Sequence, residues 1–107
     1  MREVEVCPLD ELPPGSVRIV PLERFLAVGV YNCGGELYAL EDRCSHDDGP
    51  LCEGEFDCEE KIAVCPRHGA RFDITTGQAL SLPAYLPVDT YPVRVRADGM
   101  VVVDVDA

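Results

Sequence analysis

The sequence predicts an all-β fold, an antiparallel sandwich or small barrel, in a single domain that spans residues 1–107. Apolar and polar residues alternate in short runs, which is the pattern of half-buried strands. Nine prolines and nine glycines interrupt the chain too often for long helices. A chain of 107 residues also has room for only one sizeable core.

Seven β-rich runs give the expected strands in chain order. Turn formers separate them, and Gly34 and Gly35 mark one such turn. Weaker strand patterns cover residues 71–74 and 78–82. The seven stronger runs are 4–6, 17–20, 25–31, 37–40, 61–64, 91–96 and 101–105.

The last two runs form the clearest predicted hairpin. Their apolar residues alternate on either side of Asp98 and Gly99, and Asp-Gly is a strong signal for a tight hairpin turn. Pro92 lies inside the first of these runs and has no backbone N–H to donate. We therefore expect Pro92 on a sheet edge or at an unpaired position.

Charge and hydropathy restrict the partners. The formal net charge of −11 excludes nucleic acid, whose phosphates require an excess of basic residues. Nine of the 20 acidic residues fall between positions 41 and 60, beside the single base Arg43, which favours partners with basic docking surfaces. No apolar run approaches the roughly 18 to 20 residues of a membrane helix, and the N-terminus lacks a signal-peptide pattern. We expect a cytoplasmic protein with no membrane span.

Two Cys-x-His-like boxes are the chemical signal of this sequence. Cys44 and His46 form the first box, and Cys65 and His68 form the second, which uses both histidines of the chain. Thiolate and imidazole ligands suit zinc or an iron–sulfur cluster. A structural zinc site normally uses tightly spaced ligand pairs, whereas a Rieske 2Fe-2S centre needs two Cys on one iron and two His on the other. One Cys and one His from each of two loops favour the cluster.

The two boxes closely resemble those of the Rieske family. The match covers residues 44–51 and Gly54, then 65–73, and continues through Thr76-Gly77 and Pro83-Ala84. It extends more weakly to both termini, including residues 88–93. The resemblance implies two stacked antiparallel sheets with an inserted, loop-rich, cluster-binding subdomain at about residues 42–87.

The resemblance also implies one Rieske 2Fe-2S cluster as the cofactor. Cys44 and Cys65 are expected to bind the buried iron, and His46 and His68 the outer iron near solvent. Respiratory and photosynthetic members add a disulfide between the boxes, but Gly49 and Arg67 occupy the matching positions here. The other cysteines are expected to be ordinary buried or surface thiols: Cys7, Cys33, Cys52 and Cys58.

The second box also predicts a low reduction potential. High-potential members have a Gly-Ser-x-Tyr pattern whose hydroxyls donate hydrogen bonds to sulfur, and such bonds raise the potential. Ala70 and Phe72 stand at the two hydroxyl positions in this chain. We therefore expect a value at the low end of the Rieske range of about −150 to +300 mV.

In these departures the chain resembles the free ferredoxins of bacterial ring-hydroxylating dioxygenase systems. That resemblance implies a monomeric electron carrier, not an enzyme. It would take electrons from a flavin-dependent NAD(P)H reductase and pass them to a terminal oxygenase, with both docking near His46 and His68. An oxygenase itself needs a further iron site with two histidines, and none remain. The organic substrate and the reductase type are not encoded in this chain.

Two alternatives stay open at this point. The small Rieske-type subunit of an NAD(P)H nitrite reductase would share the fold but would sit in a fixed complex. A zinc-binding structural module would use the same ligands without iron or acid-labile sulfide, so its spectra would distinguish it from a Rieske protein.

Overall fold

The computed structural model describes residues 3–23, 26–43, 50–66, 69–82 and 86–105. Within these ranges the regular elements are ten strands and a short 3-10 helix at Leu9–Glu11, with no α-helix. No helix there is long and apolar enough to cross a membrane. The strands are β1 (Glu3–Pro8), β2 (Ser16–Glu23), β3 (Leu26–Cys33), β4 (Glu36–Glu41), β5 (Phe56–Asp57), β6 (Ile62–Val64), β7 (Arg71–Asp73), β8 (Thr90–Tyr91), β9 (Val93–Val95) and β10 (Met100–Asp104).

The strands form three antiparallel sheets. The outer sheet has the order β1-β10-β9, the central sheet β2-β3-β4-β8, and the small sheet β5-β6-β7. The prediction of an all-β antiparallel fold is confirmed. β5 and β6 lie between the two boxes in sequence and β7 follows the second box; the small sheet that they form packs on the central sheet through a shared core.

Side-chain alternation along β3 explains how the central sheet can have a core on each face. Val28 and Val30 pack in the cluster that includes Val101 and Val103 of the outer sheet. Tyr31 points to the opposite face, where it joins the core formed with the small sheet. Successive residues of a strand point to opposite faces, so one strand can supply both cores.

The predicted C-terminal hairpin is confirmed, but the run at 91–96 is divided between two sheets. β8 pairs with β4 in the central sheet, whereas β9 pairs with β10 in the outer sheet. Pro92 lies between them and accepts a hydrogen bond from the Asp104 N–H at 2.9 Å. Pro92 therefore lies outside the named strands, where the chain passes from one sheet to the other and no backbone N–H is needed from it.

Two differences from the predicted strands concern the small sheet. β5 was not predicted, because two residues are too few to show an alternating pattern. The run at 78–82 is not a strand. It is a segment beside β7, held by one isolated bridge between Phe72 and Ala79 and a hydrogen bond from the Leu80 N–H to the Arg71 carbonyl.

The prediction that Cys33 and Cys58 are thiols is wrong, because the two residues form a disulfide. Cys33 ends β3 in the central sheet, and Cys58 follows β5 in the small sheet. They are 25 residues apart in sequence, so only the stacking of the two sheets brings their Cα atoms to 5.1 Å. Cys7 and Cys52 are free and buried, as expected for ordinary thiols.

Candidate metal centre

The second box begins where β6 ends. The backbone N–H of Cys65 donates to the Ala70 carbonyl at 2.8 Å, and the Cys65 carbonyl accepts from the Gly69 N–H at 3.0 Å. Gly69 has φ 74°, in the left-handed region that glycine enters at little cost. These contacts hold the backbone of Cys65 at the base of a tight loop between β6 and β7, with the residue 1% exposed and its thiol free of any disulfide.

Cys65 is the only one of the four predicted ligands within the described ranges. Cys44, His46 and His68 lie outside them, as do Gly49 and Arg67. What the structure describes are the two segments that flank the first box and the greater part of the second.

A side chain joins the two segments that flank the first box. The Asp42 carboxylate accepts a hydrogen bond from the Cys52 N–H at 2.7 Å. The Asp42 N–H in turn donates to the Ala27 carbonyl of β3 at 2.8 Å. The described residues on the two sides of the first box, Asp42 and Cys52, are therefore attached to each other and to the central sheet.

Cys52 packs directly on that sheet. A Cβ added to Gly29 would lie 2.4 Å from the Cys52 Sγ, so only glycine leaves room for the thiol. The Cys52 side chain is hydrogen-bonded to buried Tyr31, and burial is the main cause that raises the pKa of the thiol to about 12. A neutral thiol in this position is a packing group and not a thiolate ligand.

The flanks of the two boxes meet at Gly54. A Cβ on Gly54 would lie 2.1 Å from the Val64 carbonyl oxygen and 2.9 Å from Pro66 Cδ. The Val64 N–H donates to the Glu55 carbonyl at 2.8 Å. Both segments, with Cys65, line an open surface pocket of ≈ 550 Å³. The sequence resemblance included Gly54 without assigning it a contact, and it did not single out Gly29, because the close contacts of both glycines are made with residues distant in sequence.

This arrangement fits a bound metal centre. Cys65 is a free, buried thiol on a backbone fixed by two hydrogen bonds, beside the place where the described flanks of the two boxes meet. Thiolates bind iron in clusters, and a dry surrounding limits access of water to the metal. Ala70 and Phe72 are fully buried in the same core as Cys65, and neither carries a hydroxyl.

Seven of the nine acidic residues between positions 41 and 60 lie within the described ranges, and these seven divide into two groups. Glu41 is buried, accepts from the Asp89 N–H and pairs with Arg43 at 3.2 Å, while Asp42 joins the two flanks of the first box. These two carboxylates have structural roles. The side chains between 50 and 60 that form an exposed acidic patch are Glu53, Glu55, Asp57, Glu59 and Glu60.

Comparison with known proteins gives a family match along most of the chain. The model of the Rieske [2Fe-2S] domain matches residues 2–92. The 3-phenylpropionate/cinnamic acid dioxygenase ferredoxin subunit of Escherichia coli K12 is 38% identical over 96 residues, which cover 90% of this chain and 88% of the relative.

Solved structures agree with the sequence comparison. The ferredoxin of carbazole 1,9a-dioxygenase from Nocardioides aromaticivorans IC177 superposes with a TM-score of 0.88 at 35% identity, covering 96% of this chain and 97% of that one. A chain from a complex of reduced oxygenase and oxidized ferredoxin in carbazole 1,9a-dioxygenase superposes with a TM-score of 0.86 at 34% identity. The superposition covers 94% of this chain and 91% of that one.

A nitrite reductase small subunit also shares the fold. The NADH-dependent nitrite reductase small subunit of Mycobacterium tuberculosis superposes with a TM-score of 0.80 at 22% identity, covering 95% of this chain and 93% of that one. Identity at this level indicates a common architecture and nothing finer.

Proposed function

Because the chain belongs to the Rieske [2Fe-2S] family, we propose that it carries single electrons from a flavin-dependent NAD(P)H reductase to the terminal oxygenase of a ring-hydroxylating dioxygenase system. The observation that carries the proposal is the likeness to dioxygenase ferredoxins along nearly the whole chain, at 38% identity in one relative and a TM-score of 0.88 in one structure. The cofactor of the family is one Rieske-type 2Fe-2S cluster. When bound, such a cluster accepts and releases one electron.

The proposed ligands follow from the two boxes. Cys44 and Cys65 would hold one iron, and His46 and His68 the other. Cys65 has the burial and the fixed backbone that a structural thiolate needs. Asp42 and Cys52 join the two segments that flank the first box, and Gly54 lets the later of these segments lie against the start of the second box.

The chain's own residues set the conditions for transfer. Leu51, Ala70 and Phe72 are fully buried and exclude water from the core beside Cys65. A site that is held rigidly by its surroundings reorganises little when its charge changes, which suits a carrier. The absence of a hydroxyl on Ala70 and on Phe72 supports the low potential expected from the sequence.

The partners would meet the carrier close to the two histidines. One related structure is a complex of a reduced oxygenase with an oxidized ferredoxin, and we extend this pairing to the present chain. The exposed acidic patch lies next to the second box, since Glu53 and Glu55 border the same pocket as Cys65. We propose that it steers partners with basic surfaces toward His46 and His68, and that the chain works as a monomer in the cytoplasm.

The likeness to the nitrite reductase subunit extends to the fold alone, whereas the dioxygenase ferredoxins share more than a third of their residues with this chain. No specific observation favours the nitrite reductase assignment. The zinc alternative requires a site without sulfide, which the family match opposes.

Reconstitution of electron transfer tests the proposal. The holoprotein should accept electrons from NADH through the flavin-dependent reductase of a ring-hydroxylating dioxygenase system, and it should then be oxidised by the terminal oxygenase of that system in the presence of its aromatic substrate. Transfer to a nitrite reductase large subunit, with none to the oxygenase, would overturn the assignment. The variant Asp10→Asn, which removes an exposed acid far from the boxes in sequence, should transfer electrons like the wild type.

A further inference from the structure

The Cys33–Cys58 disulfide joins the central sheet to the small sheet. Cys33 is the last residue of β3, and Cys58 lies in the turn that follows β5. The covalent ring closed by the bond contains β4 and the whole of the first box, with Cys44 and His46. The disulfide therefore fastens the segment that carries two of the four proposed ligands.

The two sulfur atoms differ in their access to solvent. Cys33 is 5% exposed and lies in the core between the two sheets. Cys58 is only partly buried and borders two surface pockets. Exchange begins when a thiolate attacks the sulfur that it can reach. An incoming thiolate would therefore bond to the Cys58 Sγ, and the Cys33 Sγ would leave.

Carboxylates dominate the approach to Cys58. The pocket of ≈ 550 Å³ on its solvent side has four acidic side chains and one basic one in its lining. Their combined negative charge repels most strongly a thiolate that also carries a carboxylate. It repels least a thiolate that also carries a cationic group. The charged residues of this lining are Glu55, Asp57, Glu59, Glu60 and Arg71.

We propose that Cys33–Cys58 is a reversible thiol–disulfide exchange site, open to neutral and cationic thiols and protected from anionic ones, and that its opening loosens the first ligand loop. The consequence for the ligand loop rests on the proposed function. A disulfide in a cytoplasmic protein is usually transient, catalytic or redox-sensing, which agrees with an exchangeable bond at the surface.

The exchange balances with a small thiol, RSH, as the reductant. Its thiolate bonds to the Cys58 Sγ, the Cys33–Cys58 bond breaks, and Cys33 leaves as a thiolate that takes up a proton. A second RSH cleaves the mixed disulfide and yields the Cys58 thiol and RSSR. The chain thus gains two electrons and two protons while two RSH become one RSSR, and RSSR drives the reverse reaction.

Alkylation under denaturing conditions followed by intact mass measures the state of the bond. The chain has six cysteines, so an intact Cys33–Cys58 disulfide leaves four that take a label. The holoprotein is treated with cysteamine, 2-mercaptoethanol or 3-mercaptopropionate, which are cationic, neutral and anionic in their second group. Each rate per thiolate is divided by the rate of the same thiolate with a small neutral disulfide, because the three thiols differ in intrinsic nucleophilicity. At low salt we expect these relative rates to fall in that order, by about fivefold per step, and to converge at about 0.5 M salt.

Two results would overturn the exchange site itself. The first is a chain that takes six labels before any reductant is added, because such a chain has no disulfide. The second is equal relative reduction rates for the three thiols at low salt, because equal rates would remove the electrostatic selection. The variant Glu59→Gln/Glu60→Gln should bring the three rates closer together. Asp10→Asn, an exposed acid outside the pocket lining, should leave them unchanged.

Hydrogen exchange of the holoprotein tests the loosening. Opening the bond should speed exchange in residues 36–43 and 50–58, and Cys58→Ser should reproduce this result without reductant. Cys7→Ser, which removes a buried thiol from the outer core, should behave like the wild type. Unchanged hydrogen exchange in both the reduced wild type and Cys58→Ser would overturn the claim that the disulfide restrains these residues. Visible and EPR spectra that are not those of a Rieske cluster would reject the proposed function. The labelling masses and the hydrogen-exchange rates would still report on the disulfide.

Discussion

The Asp42 carboxylate accepts a hydrogen bond from the Cys52 N–H at 2.7 Å and so joins the two segments that flank Cys44 and His46 in sequence. Cys52 is 1% exposed, so no water replaces the carboxylate if it is removed. Because this contact joins the two flanks of the first box, we expect Asp42 to act as a positioning residue for that box.

The variant Asp42→Ala tests that role. Loss of the acceptor leaves a buried N–H unpaired, which should lower the free energy of unfolding by about 1–3 kcal/mol and speed the release of iron. Urea unfolding and the decay of the visible spectrum measure the two effects. Asp42→Asn keeps a carbonyl acceptor and should stay much closer to the wild type. Wild-type stability in Asp42→Ala would remove the positioning role.

Cys52 gives the protein a specific response to alkaline pH. Burial raises the pKa of its thiol to about 12 in the folded chain, against about 8.5 in the unfolded chain. Above pH 8.5 the unfolded chain therefore loses this proton first, so stability is complete below that pH and falls as the pH rises toward 12.

Unfolding by urea at pH 8, 9 and 10 checks this effect. Burial also raises the pKa of Cys7, so the wild-type slope contains both thiols. In Cys52→Ala the free energy of unfolding should fall less steeply with pH, because the contribution of this thiol is removed. Cys7→Ala, which removes the other buried thiol, serves as the comparison. An identical pH dependence in wild type and Cys52→Ala would contradict the buried neutral thiol.

The potential should respond to hydroxyls near the second box. Ala70→Ser together with Phe72→Tyr places two donors where both native side chains are fully buried and apolar. Hydrogen bonds to cluster sulfur favour the reduced form, so the midpoint measured by protein-film voltammetry should rise. Phe72→Leu changes the packing without adding a donor and is the control. An unchanged or lower midpoint in the double variant would refute the explanation.

Salt should slow reduction by the cognate reductase if the acidic patch steers the encounter. Screening weakens exposed charge interactions beyond about 10 Å at 0.1 M salt. Stopped-flow rates should therefore fall as salt rises, and Glu53→Gln/Glu55→Gln should lower the low-salt rate and flatten its dependence. Asp10→Asn should not do so. Rates independent of salt would remove the steering role.

Much of the fold could be predicted because its signals are local. The hairpin around Asp98 and Gly99 depends on a two-residue turn and the alternation beside it, and both are visible in the sequence. The two boxes are equally local. β5 escaped prediction because a two-residue strand is defined by its partner β6 and not by its own pattern.

The parts that could not be predicted depend on how the sheets stack. The Cys33–Cys58 disulfide and the contact of Gly29 with Cys52 join residues more than 20 positions apart. The partner of Asp42 is a backbone amide ten residues along, which has no sequence signature. The spacing of the boxes pointed to a metal centre, but the residues that hold their flanks became visible only in three dimensions.

Metal and sulfide analysis of the purified protein, combined with EPR of its reduced form, tests the central claim most directly. A Rieske 2Fe-2S protein should contain two irons and two acid-labile sulfides per chain and give a rhombic Rieske signal after one-electron reduction. His68→Cys should alter that signal while the iron is retained, because one imidazole ligand becomes a thiolate. A colourless protein with one zinc and no labile sulfide would contradict the account.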